Sequence, residues 1–106
     1  MTATEIAWLS GIYEGEGCIN KDRRKPSTWR ISLVMTDFDV IDKLQKLTGV
    51  GSVRTRTKQK DHHKTAYQWI VGRKAQVQYL LSLMLPYLGN RRAHDALNAL
   101  DTIELL

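Results

Sequence analysis

The spacing of hydrophobic residues along the chain changes from helical to strand-like and back. Residues 2–13 have helical spacing, and residues 18–24 and 29–36 then follow the pattern of two strands. A second helix precedes residues 50–58 and 65–71, which form another pair of strand-like segments, and two helices follow. This order predicts an α+β fold, αββαββα(α), with one antiparallel four-stranded sheet covered by helices on one face. In the last helix, the residues predicted to point inward are Ala93, Leu97, Leu100 and Ile103.

Length and composition narrow the class of protein further. A chain of 106 residues suits one domain, so we expect residues 1–106 to form a single unit. The single cysteine excludes an internal disulfide framework. No apolar run approaches the roughly 20 residues that a membrane span needs, and the N-terminus lacks the basic region of a secretory signal. We therefore expect an intracellular protein, in the cytoplasm, the nucleoid or an organelle, that does not bind a membrane.

Basic residues are concentrated in the middle of the chain. Residues 19–74 contain 14 of the 16 lysines and arginines and 5 of the 11 acids, a net charge of +9, whereas the remaining residues have a net charge of −4. A basic region between acidic ends is typical of a surface that binds a polyanion. A solvated basic surface without a ligand is the alternative interpretation.

The predicted sheet offers a place for this basic surface. Because the helices cover one face, alternate strand residues on the other face are free to bind a ligand. The alternation assigns eight polar side chains to that face: Asn20, Asp22, Arg24, Arg30, Ser32, Arg54, Arg56 and Gln68. Such side chains form hydrogen bonds with phosphates and base edges, and a β-ribbon fits the major groove of DNA. The sequence therefore predicts that the sheet contacts nucleic acid.

The first helix runs into an unusual segment, LSGIYEGEG, at residues 9–17. Three small residues would let a second helix approach closely: Ser10, Gly11 and Gly15. Glu14 and Glu16 lie at the helix C-terminus, where the helix dipole disfavours acids. A carboxylate beside an exposed carbonyl, such as that of Gly15, makes a hard oxygen site for a divalent cation. In the alternative interpretation, the glycines only turn the chain and the glutamates are solvated.

Residues 9–17 resemble the motif of the LAGLIDADG homing endonucleases and are followed by the customary Cys18-Ile19. The order of helices and strands is similar to that family over almost the whole chain. The segment GVGSV at residues 49–53, with Arg54 and Arg56 after it, resembles the third strand of the family. Residues 85–88, LPYL, with Arg91 and Arg92 after them, resemble its C-terminal helical region.

The resemblance implies a metal-dependent catalytic site on the motif helix. The last acid of the motif, Glu16, would be catalytic and would bind Mg²⁺ together with the carbonyl of Gly15. A basic residue near the metal is a family feature, and Arg91 is the first candidate, with Arg92 the second; a solvated surface pair is the alternative. Family members also carry a polar residue that orders active-site water at the end of the second strand, here Thr36 or Asp37. Asp37 is equally a candidate cap for the second helix.

The resemblance also implies a homodimer, because the chain carries one copy of the motif. The dimer interface on the motif helix would consist of Leu9, Ser10, Gly11, Ile12, Glu14 and Gly15. The pair would hydrolyse phosphodiester bonds in double-stranded DNA, making Mg²⁺-dependent double-strand breaks at a long, roughly two-fold symmetric site without a small-molecule cofactor. The alternative function on the same fold is a catalytically inactive DNA- or RNA-binding protein, such as a splicing factor or regulator. A protein-interaction module with an incidental basic face is a third class.

Overall fold

The computed structural model describes residues 1–21, 24, 28–56 and 64–104. Within these ranges, helices and strands follow one another in the predicted order, and the α+β fold class is confirmed. The elements are α1 Ala3–Glu16, β1 Gly17–Lys21, β2 Trp29–Met35, α2 Phe38–Thr48, β3 Ser52–Arg56, β4 Ala66–Val71, α3 Lys74–Met84 and α4 Asn90–Glu104. A 3₁₀ turn, Leu85–Tyr87, joins α3 to α4 and contains Pro86, a residue that cannot continue a helix. Of the helices in the described ranges, none is both long and apolar enough to cross a membrane.

The strands form one antiparallel sheet in the order β1-β2-β4-β3. The two hairpins of the sequence are joined through β2 and β4, whose register aligns Leu33 with Trp69 and Ile31 with Val71. These four side chains are buried, and α1, α2 and α3 pack over them. The described residues on the opposite face are exposed or partly exposed. The sheet therefore has a core face and a free face, as its alternating sequence predicted.

The first helix begins as predicted and extends further than predicted. Thr2 caps it: the Glu5 N–H donates to Thr2 Oγ1 at 3.1 Å, and the Thr2 N–H donates to Glu5 Oε1 at 2.7 Å. The helix continues to Glu16, and Gly17 closes it by donating its N–H to the Tyr13 carbonyl. A Cβ at Gly17 would overlap the Tyr13 ring and carbonyl oxygen, so a side chain here would require the ring or the backbone to move.

The second helix lies between Asp37 and Gly49. Asp37 occupies the N-cap position but makes no side-chain capping hydrogen bond. Gly49 has a φ of 69°, the left-handed conformation that commonly ends a helix and favours glycine. The helix thus ends before residue 50, where the sequence predicted the next strand to begin, whereas Asp37 does not act as a side-chain cap.

The inner face of α4 agrees with the prediction at Leu100 and Ile103, which are buried. It differs at Ala96 and Ala99, which are also buried, and at Leu97, which is 47% exposed; Ala93 is partly exposed. The small alanine side chains let α4 approach α3 and the 3₁₀ turn closely, and this places the neighbouring Leu97 on the outer side of the helix.

Candidate nucleic-acid interface and metal site

The free face of the sheet carries most of the predicted nucleic-acid contacts. The strand register places six of the eight predicted side chains on it: Asn20, Arg30, Ser32, Arg54, Arg56 and Gln68. Arg30 lies opposite Asn20 and donates a hydrogen bond from Nε to its Oδ1 at 3.5 Å. Arg54 lies opposite Gln68, and both arginines of β3 are exposed. The predicted placement is found, and contact of these side chains with DNA stays a prediction.

Two of the eight predicted side chains are not placed on the sheet. Asp22 lies outside the described residues. Arg24 is exposed, but β1 ends at Lys21, so Arg24 lies beyond the strand and the predicted strand over residues 18–24 is too long. In the described register, Lys21 pairs with Trp29, the first residue of β2.

Other residues share the free face but were not predicted to contact nucleic acid: Cys18, Val34, Ser52, Ala66 and Ile70. Cys18 is exposed, and its Sγ accepts a hydrogen bond from Asn20 Nδ2 at 3.4 Å. Val34 is 36% exposed. The same alternation that predicted the polar contacts could have found these residues, because it assigns a face regardless of polarity.

Glu16 is exposed at the C-terminal end of α1, where the chain enters β1. It lines an open cleft of about 350 Å³ with residues from the end of β2, the start of α2 and the start of β4: Val34, Met35, Thr36, Asp37 and Ala66. The fold therefore brings Glu16 beside both of the polar residues that the resemblance suggested at the end of the second strand.

Carbonyl oxygens of the last helical turn lie beside this carboxylate. The final backbone hydrogen bond of α1 joins the Gly17 N–H to the Tyr13 carbonyl, so the later carbonyls, including that of Gly15, have no amide partner within the helix. The last turn contains no basic residue. Carboxylate and carbonyl oxygens at the negative end of a helix dipole suit a hard cation such as Mg²⁺, which also keeps several waters. Within the described ranges, His, Cys, Asp and Glu side chains form no group of three that could hold a metal ion.

Glu14 is engaged within the chain. Its Oε1 accepts a hydrogen bond from the Gly89 N–H at 2.5 Å, and its Oε2 lies 3.6 Å from Arg92 Nε. Arg92 also donates to the Gly17 carbonyl, and its guanidinium lies 5.4 Å from the centre of the Tyr13 ring. These contacts bind the end of α1 to the start of α4. The Glu14 carboxylate is therefore engaged within its own chain, and its place at the dimer interface stays a prediction.

The two arginines at the start of α4 have different surroundings. The Arg92 side chain is only 15% exposed, because it packs on the end of α1. Arg91, the first candidate for the basic residue of the site, is exposed.

Burial raises the pKa of the Tyr13 hydroxyl to about 12, and the positive charge of Arg92 acts in the opposite direction.

Two of the six residues predicted for the dimer interface on α1 are buried inside their own chain. Leu9 and Ser10 are buried in the core of their own chain, at 0% and 1% exposure, so these two residues have no surface left for a partner. The Ser10 hydroxyl donates to the Ile6 carbonyl at 2.7 Å, which satisfies it inside the protein. On the opposite side, Gly11 and Gly15 are exposed, and Ile12 is partly exposed beside them.

The sequence also matches a known protein family. A sequence model described as a LAGLIDADG-like domain matches residues 3–83. The chain belongs to the LAGLIDADG family. Its LAGLIDADG segment, residues 9–17, forms the second half of α1 and the first residue of β1. A search of curated proteins found no match to this chain.

Solved structures of LAGLIDADG proteins share the fold. The homing endonuclease I-CvuI, in complex with its target and 2 mM Ca, is 27% identical with a TM-score of 0.74, over 96% of this chain and 67% of that one. A second I-CvuI complex, with the I-CreI target and 2 mM Mg and with the DNA not cleaved, is 26% identical with a TM-score of 0.73, over 95% and 66%. The meganuclease I-AabMI, bound to uncleaved DNA, is 15% identical with a TM-score of 0.75, over 94% and 36%. This LAGLIDADG chain therefore spans about two thirds of I-CvuI and about a third of I-AabMI.

Proposed function

We propose that this LAGLIDADG protein is a site-specific endonuclease that acts as a homodimer and makes Mg²⁺-dependent double-strand breaks at a long, roughly two-fold symmetric DNA site. The observation that carries the proposal is the position of Glu16. Its exposed carboxylate lies at the end of α1, between the open side of that helix and the free face of the sheet. The likeness to I-CvuI, a homing endonuclease in complex with its target, supports the proposal.

The open side of α1 favours pairing with a second copy. A Cβ built on Gly11 or Gly15 would meet nothing within 4 Å, so the backbone is accessible at both positions. Small residues of this kind let two helices pack closely. A two-fold pair of α1 helices would bring two Glu16 carboxylates near the axis, where they repel each other unless a cation lies between or beside them.

The proposed chemistry distributes roles among the residues around the cleft. Glu16 and the Gly15 carbonyl hold the cation, and Thr36 or Asp37 orients water through its side-chain oxygen. Mg²⁺ bound there would lower the pKa of the attacking water and stabilise the leaving oxygen of the scissile phosphodiester. Arg91 supplies positive charge from the start of α4. One such hydrolysis on each strand gives the double-strand break.

The sheet holds the duplex in this proposal. Its exposed arginines on β3, Arg54 and Arg56, suit phosphates and base edges, and a β-ribbon fits the major groove. The strand aromatics Trp29, Tyr67 and Trp69 lie on the core face, so the described free-face residues offer no ring for stacking on unpaired bases. This arrangement favours double-stranded DNA over single-stranded RNA.

The test is cleavage of a pool of DNA duplexes. The pool includes the two sequences that flank the gene, joined directly to each other with the gene removed. Mg²⁺, Ca²⁺ and chelator are compared for the wild-type protein, for Glu16→Gln and for Asp101→Asn, a matched control on the exposed side of α4. We expect Mg²⁺-dependent ends at one site, retained by the control and lost in Glu16→Gln. Sequence-specific binding by a confirmed dimer without cleavage under any metal would contradict the nuclease and support the inactive DNA-binding protein. Absence of duplex binding would contradict both.

A further inference from the structure

The free face of the two central strands carries three apolar side chains. We use the name apolar strip for Val34 on β2 together with Ala66 and Ile70 on β4. Val34 lies opposite Gln68, and Ile70 lies opposite Ser32, so Val34 is a diagonal neighbour of both other members of the strip. Val34 is 36% exposed, and the other two are partly exposed. The strip thus offers apolar surface to a ligand on this face, with Val34 diagonal to both β4 members and Gln68 between them.

The surroundings of the apolar strip are polar and charged. On one side, Glu16 shares its cleft with Val34 and Ala66. On the other side, β3 places Ser52 opposite Ile70 and Arg56 opposite Ala66. The core of the chain does not account for the strip, because the residues that alternate with it along both strands face the helices instead. An occupant of this face therefore meets apolar contact at the strip and polar or charged side chains around it, including Gln68 between Ala66 and Ile70 on β4.

DNA presents one apolar group on the base edges of its major groove, the C5-methyl group of thymine. Resting on the proposed function, we propose that the apolar strip contacts pyrimidine C5-methyl groups and so determines a preference for thymine in the base pairs beside the cleaved bonds. The same methyl group occurs on 5-methylcytosine. The hydrogen-bonding residues around the strip then act on the neighbouring pairs, and the strip contributes specificity that a purely polar face lacks.

The geometry also predicts where the preferred thymines lie. Val34 lines the cleft of Glu16, so its contact falls on the pairs nearest the cleavage position in each half-site. Ile70 lies opposite Ser32, two residues from Val34 along β2, which is about 7 Å of strand. That distance equals the rise of about two base pairs. We expect two thymine positions about two base pairs apart in each half-site, repeated by the two-fold symmetry.

The experiment selects duplexes from a random pool with the full-length wild-type protein in Ca²⁺. The preferred duplex is then synthesised with deoxyuridine in place of thymidine at one position at a time, which removes only the methyl group. We expect the dissociation constant to rise about fourfold for each contacted methyl group. Val34→Asn and Ile70→Asn replace an apolar side chain of the strip by a polar one, and each should abolish the thymine–uracil difference at its own position. Thermal unfolding of both variants establishes that they fold.

Arg54→Gln serves as the matched variant on the same face. It should weaken binding to the thymine and uracil duplexes equally and keep the difference between them. Wild-type protein that binds the two duplexes equally, or Val34→Asn that keeps the full difference, would overturn the inference while leaving specific DNA binding intact. A pool without sequence preference would instead overturn the proposed function together with the inference. Duplexes with cytosine or 5-methylcytosine at the selected positions test the second source of the methyl group. Tighter binding of the 5-methylcytosine duplex supports contact with the methyl group itself, and equal binding of the two duplexes would overturn it.

Discussion

At Gly17 the chain turns from helix into strand within one residue, and the adjacent Glu16 owes its position to that turn. The turn brings the backbone of Gly17 against the Tyr13 ring, with no room for a side chain. Tyr13 is 1% exposed and anchors the end of α1 in the core. The placement of the candidate metal ligand therefore depends on a contact between a glycine and an aromatic ring four residues earlier.

Gly17→Ala should lower the free energy of unfolding by about 1–3 kcal/mol, because its Cβ forces the Tyr13 ring or the backbone to move. Chemical denaturation measures the change. Gly72→Ala is the matched control, since a Cβ at Gly72 would meet nothing within 4 Å and should change stability by less than about 0.5 kcal/mol. Equal stability of Gly17→Ala and the wild-type protein would contradict this account of the turn.

Tyr13→Phe tests the burial of the phenol by its pH dependence. The pKa of Tyr13 is raised from 10.0 to about 12, so the folded protein holds a proton that the unfolded chain loses above pH 10. This contribution to stability is complete below pH 10 and decreases as pH rises from 10 towards 12. Denaturation curves at several alkaline pH values should therefore show a steeper loss for the wild-type protein than for Tyr13→Phe. Parallel curves would argue against a protonated, buried Tyr13.

At the scale of elements, contacts between α1 and α4 hold the site together. Glu14 and Gly89 are separated by 75 residues in sequence and join through one hydrogen bond, and Arg92 adds an ion pair, a bond to the Gly17 carbonyl and a ring contact. Removing one partner of such a charged contact lowers the free energy of unfolding, because the other partner then lacks that hydrogen bond. The start of α4 therefore stabilises the helix end that carries Glu16.

Arg91→Ala and Arg92→Ala should have opposite profiles. Arg92→Ala should lower the free energy of unfolding by about 1–3 kcal/mol because it removes the ion pair with Glu14 and the side-chain hydrogen bond to the Gly17 carbonyl. Arg91→Ala should keep stability within about 0.5 kcal/mol, because Arg91 is exposed, and should lower the cleavage rate at saturating DNA. Denaturation and single-turnover cleavage separate the two effects. Loss of stability in Arg91→Ala with full activity would contradict the assignment.

Strand alternation predicted the free face well, whereas the helix faces were harder to predict. Along a strand, side chains alternate strictly, so Arg54 and Gln68 could be assigned without knowing any packing. In α1, small size indicated close approach at Ser10 but not whether the approaching surface belongs to the same chain. In α4, Ala96 and Ala99 are buried and Leu97 is exposed. The small alanine side chains let this helix pack closely, which hydrophobicity alone did not predict. The contact of Glu14 with Arg92 depends on tertiary structure and has no local signal.

At the scale of the whole molecule, α1 has two sides with different partners. Leu9 and Tyr13 face the core of their own chain, and Gly11 and Gly15 face outward. The same helix therefore contributes to folding on one side and, in the proposed dimer, to assembly on the other. A substitution on the outer side should separate these two contributions.

Gly11→Leu should leave the chain folded and dissociate the proposed dimer. Leucine is a better helix former than glycine by up to about 1 kcal/mol, and a Cβ at Gly11 meets nothing in its own chain. In a close pair of helices, however, the larger side chain separates the backbones. Sedimentation velocity with circular dichroism distinguishes the two effects, and Ala75→Leu, an exposed position on α3, is the control. An unchanged sedimentation coefficient for Gly11→Leu would contradict the proposed interface.

The concentration of charge in the middle of the chain predicts strongly salt-dependent DNA binding. Each phosphate neutralised contributes about −0.9 to the slope of the logarithm of the binding constant against the logarithm of salt concentration. Arg54→Gln and Arg56→Gln should each make the slope shallower by up to about one unit if the arginine contacts a phosphate. Titrations by fluorescence anisotropy measure the slopes, with Lys46→Gln on α2, in the helix layer behind the sheet, as the control. Salt-independent binding by the wild-type protein would contradict a phosphate-binding sheet.

The two-sided sheet has a consequence for how such a protein can change over time. Residues that alternate along β2 and β4 either fill the core or face outward, and the outward set carries little of the packing that maintains the fold. Substitutions in the outward set are therefore nearly neutral for stability, while each one alters the surface presented to a ligand. Single substitutions in the outward set can therefore change which ligand such a protein prefers, while each successive variant still folds. The same property makes the outward set a natural library for directed evolution.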